Sequence, residues 1–201
     1  MNTTLVFAEL LIIGLEGGVW VSFLLLSLFG AGTFEKPLTF LQDWQLLVLP
    51  TIFALIYVLG VIIDRVADSL FRGKEEKIDN EIVGDLPVTI SVMRFSLGTQ
   101  NDFLNQQLDY TRTRIRIVRA SIVNFPLIAL SLSLFLLTGL PNIPANLQWN
   151  YAIIILGVGI LAAYAAYRTW RSLIIAHLKL AKGMYEYQTQ KNEQIKKSMK
   201  S

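Results

Sequence analysis

Residues 120–167 read ASIVNFPLIALSLSLFLLTGLPNIPANLQWNYAIIILGVGILAAYAAY, with no Asp, Glu, Lys or Arg between Arg119 and Arg168. A helix crosses the hydrocarbon core of a bilayer in about 20 residues, because about 30 Å is covered at about 1.5 Å per residue with every backbone group bonded internally. The stretch is too long for one crossing. Pro141, Asn142, Pro144 and Asn146 fall together near its middle, and such a cluster reads as a turn. It therefore predicts a hairpin of two transmembrane helices, at about 120–140 and 147–167.

Working outward, two further segments have the same character. Residues 5–29 are interrupted only by Glu9 and Glu16, and residues 44–63 lie uncharged between Asp43 and Asp64. Hydrophobic residues make up 53% of the chain, its mean hydropathy is +0.49, and charged residues contribute only 16%, against about 25% in soluble domains. Such an excess of apolar surface needs lipid. The expected fold is thus an all-α integral membrane protein with four transmembrane helices in two hairpins. The first apolar run exceeds the roughly 7 to 15 residues of a signal-peptide core, so it is expected to stay on the mature protein.

Of the 18 Lys and Arg residues, only Lys36 falls in the two tips, 32–43 and 138–146. Positive residues near a membrane are retained on the cytoplasmic side. Both termini and residues 64–119 are therefore expected inside, in a bacterial-type plasma membrane, with Trp44, Trp149 and Tyr151 at the outer headgroup layer. The net charge of +3 and pI near 9.2 are read as topology signals, and no nucleic-acid partner is expected. With no Cys and one His, neither a thiol nucleophile nor a Cys- or His-rich metal centre can be built.

Four regions follow. Residues 1–72 hold the first hairpin, 73–118 a cytoplasmic charged and helical segment, 119–185 the second hairpin with an inward helical extension, and 186–201 a polar basic tail. Within the second region, the mixed charges of 72–81 are expected to be mobile. Leu104, Leu108, Thr111, Ile115, Val118 and Ile122 then recur every three or four residues, predicting one helix from about Asn101 into the third span. Val88, Thr89, Ile90 and Val92 would also suit a short strand. The fourth span is expected to continue inward through Leu173, Ile174, Leu180, Ala181 and Met184.

Glu16 is the residue most at odds with its solvent. A first span starting near Thr4 puts it about 18 Å deep, where a charge costs at least about 2.5 to 3.5 kcal/mol. Compensation is expected from protonation, from a hydrogen bond to a group such as Tyr57 or Ser131, or from a wet cavity. Glu9 lies on nearly the same face, so the two acids are pore or ion-path candidates forming an acidic stripe. Gly14 and Gly18 give a small-xxx-small spacing suited to close helix packing, as do Gly159 and Ala163 in the fourth span. At the cytoplasmic mouth, Asp64, Arg65 and Asp68 face Arg112, Arg116 and Arg119, which predicts interhelical ion pairs or contact with lipid headgroups.

No Ser-His pair, H-E-x-x-H, phosphate loop or G-x-S-x-G occurs, so no enzyme, cofactor or metal is expected. Two functions remain. The first is a homo-oligomeric ion channel or membrane-permeabilising effector, with Glu9 and Glu16 along the path. The second is a non-conducting membrane anchor or scaffold whose cytoplasmic helices bind a partner protein.

Overall fold

The computed structural model describes residues 3–30, 45–84, 102–139 and 144–198, all within or bordering four helices. These are α1 (Thr3–Phe29), α2 (Gln45–Val83), α3 (Asp102–Gly139) and α4 (Ala145–Ser198). Each holds a segment long and apolar enough to cross a membrane. The possible strand at Val88–Val92, the tip around Lys36 and Trp44 lie outside the described residues.

The ends of the helices follow from local chemistry. Gly30 adopts φ +77° and its N–H donates to Leu26 O at 3.0 Å, closing α1 with a left-handed cap that a side chain would oppose. Pro144 O accepts from the N–H groups of Leu147 and Gln148, which opens α4. One sequence expectation is corrected. The charged residues 72–81 continue α2 as helix, because Phe71 and Ile78, seven residues apart, share one buried side that half-buried Ile82 extends. The Gln/Lys-rich end also remains helical, to Ser198.

The chain divides into two units, and α2, α3 and α4 contribute to both. One unit comprises residues 2–70 and 116–168. Its apolar centre is Ile13, Ile63 and Ala120, flanked by Leu59 and Ile117. The backbones of α1 and α2 touch where they cross: a Cβ on Gly14 would strike the Ile56 carbonyl, and one on Gly60 would strike that of Leu10. Between α3 and α4, Gly159 lies against the Ala129 side chain, and Ser133 Oγ donates to Ala152 O at 3.2 Å. Large apolar side chains cover the outside, including Leu28 (68% exposed), Leu55 (64%), Ile160 (65%) and Leu161 (68%). An apolar exterior of this kind marks a membrane or an extensive partner surface.

The other unit comprises residues 71–115 and 169–201. Phe71 meets Trp170 edge-on with ring centroids 5.0 Å apart, and Leu108 packs with Ala181 and Met184. Ile174, His177 and Leu178 are buried on α4. Lys182 Nζ donates to Ile82 O at 3.0 Å.

Candidate functional site: a polar seam between α1 and α3

Contacts between α1 and α3 ascend both helices together, pairing Glu9 with Arg116, Glu16 with Ser121 and Asn124, Trp20 with Asn124, Phe23 with Phe135, and Ser27 with Thr138. The two helices are therefore parallel neighbours. Polar and apolar levels alternate along their contact.

The first level is an ion cluster. Arg116 Nε lies 2.9 Å from Glu9 Oε1 and its Nη2 lies 2.6 Å from Asp64 Oδ2. Arg119 reaches Asp64 Oδ1 at 3.3 Å and Asp68 Oδ1 at 2.7 Å. Glu9 is 1% exposed, and Asp64 and Arg119 are also buried. Taking charged groups out of water costs several kcal/mol per ion, so such a cluster adds little net stability. It does fix the rotation of three helices, because only one arrangement leaves no charge alone.

Above it lies the dry layer of Ile13, Ile63 and Ala120. The next polar level centres on Glu16, which is half-buried. Asn124 Nδ2 donates to Glu16 Oε2 at 3.0 Å, while Trp20 Nε1 donates to Asn124 Oδ1 at 3.2 Å. Ser121 Oγ lies 2.9 and 3.0 Å from the two Glu16 oxygens and 3.1 Å from Ile117 O. A hydroxyl has one hydrogen, so these three acceptors share it. The Phe23 and Phe135 rings, 5.7 Å apart, form a second apolar level, and Ser27 Oγ meets Thr138 Oγ1 at 2.8 Å beyond them.

The residues singled out in the sequence thus separate into groups. Glu9, Asp64, Asp68, Arg116 and Arg119 form the ion cluster, whereas Arg65 and Arg112 are exposed. The partners named in advance for Glu16 are replaced: Tyr57 stacks on Phe7 at 5.2 Å and Ser131 donates to Ile128 O. Gly14 packs against α2, but a Cβ on Gly18 would meet nothing within 4 Å. Ala163 is half-buried beside the Gly159 contact.

Sequence reasoning missed Ser121, Asn124 and Trp20 as a unit. Counting from the expected span starts, residues 5 and 120, sets Glu16 level with Ser131. The structure instead sets Glu9 level with Arg116, so that seven residues up α1 and eight up α3 bring Glu16 to Asn124.

The chain matches no protein-family model, no curated protein and no solved structure. What the fold defines is a class: among the described residues it is four helices, each long and apolar enough to cross a membrane, which points to a membrane location.

Proposed function

We propose that this chain is a membrane scaffold. Four spans in two hairpins fix residues 1–70 and 116–168 in the bilayer, and the helical unit of residues 71–115 and 169–201 binds a partner protein in the cytoplasm. Both termini are cytoplasmic, in a bacterial-type plasma membrane, as the presence of only Lys36 among the Lys and Arg residues in the two tips supports. One observation carries the scaffold reading: both acids of α1 turn onto α3 of the same chain, and apolar levels lie between and above them. Hydrogen bonds of this kind between membrane helices contribute about 0.6 to 2 kcal/mol each and select one packing.

A second reading is a homo-oligomeric channel or permeabilising effector. It is favoured by the excess of four carboxylates (Glu9, Glu16, Asp64, Asp68) over two guanidiniums along the seam, and by the open surface at Gly18 on α1. Such a surface suits a second copy of α1. Native mass spectrometry of the nanodisc-embedded protein, followed by cation flux into liposomes, separates the two. The scaffold reading expects flux at the lipid background for both the wild type and Glu16→Gln. A discrete oligomer whose flux exceeds background and is lost in Glu16→Gln would replace it with the channel.

A further inference from the structure

Two populations of arginine border the apolar segments. Arg116 and Arg119 are taken up by Glu9, Asp64 and Asp68. Arg65 on α2, Arg112 and Arg114 on α3, and Arg168 and Arg171 on α4 are exposed. Apart from Asp109, one turn before Arg112, acids that would ordinarily neutralise them are elsewhere. Asp64 and Asp68, the neighbours of Arg65, turn inward, and α4 carries no Asp or Glu before Glu186. Among the described residues no ion pair reaches Arg65, Arg112, Arg168 or Arg171, while the Arg114 guanidinium lies 5.8 Å from the centre of the Tyr110 ring.

We propose that these five arginines are headgroup ligands, each binding the phosphate of an anionic phospholipid at the end of its own helix's apolar run. Position supports this. Arg168 immediately follows an apolar run, Arg65 follows one after Asp64, Arg171 lies one turn beyond Arg168, and Arg112 and Arg114 precede the third run by about two turns of about 5.4 Å. Long side chains at such positions extend into the headgroup layer. Chemistry supports it as well, because a guanidinium offers a planar fork to phosphate oxygens and is more weakly hydrated than an ammonium. The carboxylates of the seam hold Arg116 and Arg119 inside and leave the outer five to the lipid. A free phosphate anion presents the same oxygens, so the test must separate the two sources.

The full-length protein in nanodiscs of equal phosphatidylglycerol and phosphatidylcholine is transferred to detergent, and its retained lipids are counted by native mass spectrometry. Phosphatidylglycerol is expected to be retained in preference. Each Arg→Gln substitution lowers that preference about fivefold, since a cation at the surface contributes about 1 kcal/mol. Arg→Lys at all five positions keeps the charge but not the fork, and gives an intermediate preference in a protein that folds as the wild type does. The double substitution Lys77→Gln/Lys197→Gln, at exposed lysines away from the apolar runs, leaves the preference unchanged. Equal retention of the two lipids by the wild type overturns the proposal, as does an equal loss in the lysine control. Displacement of phosphatidylglycerol by millimolar inorganic phosphate also overturns it, by making the site one for free anions.

Discussion

Replacing Arg116 by Gln should be the most damaging single change in the ion cluster. Its guanidinium serves Glu9, 1% exposed, and Asp64, whose side chain is 8% exposed, while being only 20% exposed itself. Removing one partner of a buried pair leaves an uncompensated charge and costs about 3 to 5 kcal/mol. Asp64 retains Arg119 at 3.3 Å, whereas Glu9 loses its 2.9 Å pair with Arg116. In a chain of this length each kcal/mol moves the thermal midpoint by about 2 to 4 °C, so Arg116→Gln should lower it by about 6 to 20 °C. Arg119→Gln should cost less, about 1 to 3 kcal/mol, since Asp64 keeps Arg116 and the Asp68 side chain is 33% exposed. Thermal unfolding in a single detergent, followed by circular dichroism, reads both. The decisive comparison is the double substitution Glu9→Gln/Arg116→Gln, which removes both charges of the pair. It should be more stable than the sum of the single effects by at least about 1 kcal/mol. Effects that add to within about 0.5 kcal/mol would refute the Glu9–Arg116 pair.

The glycines of α1 should separate sharply: Gly14→Val strikes the Ile56 carbonyl and should prevent stable α1–α2 packing, whereas Gly18→Ala meets nothing and should leave the melting midpoint within a few degrees. Were Gly18→Ala instead to break up an oligomer seen by native mass spectrometry, the second functional reading would gain. Asn124→Leu removes partners from both Glu16 and Trp20 and should cost about 1 to 3 kcal/mol. Exchange of α3 backbone amides near position 124, measured by mass spectrometry, should rise above wild type in that variant. Unchanged exchange would show that Asn124 is peripheral to the packing.

Much of the architecture is legible in the chain because membrane crossing is a one-dimensional constraint. Length without charge identifies each apolar segment, and the stripe from Leu104 to Ile122 foretells that α3 runs unbroken from Asp102 to Gly139. The mixed charges of residues 72–81 mislead because polarity alone does not distinguish a solvated helix from a loop. Phe71, Ile78 and Ile82, three apolar residues in a charged setting, provide the helical side that packs inward.

The candidate site is divided in the same way. Depth depends on position along a helix, so the sequence by itself determined that Glu16 lies far from either end of its span and that Asp64, Asp68, Arg116 and Arg119 gather at one end. Partner choice depends on which helix lies beside which and at what rotation. Only the tertiary structure decided that α1 packs on α3, that Glu9 meets Arg116, and that Glu16 faces Ser121 and Asn124 instead of Tyr57 or Ser131. Helical periodicity tells which residues share a face, but in lipid several faces of one helix are apolar enough to be buried. The choice among them comes from contacts between residues more than a hundred positions apart.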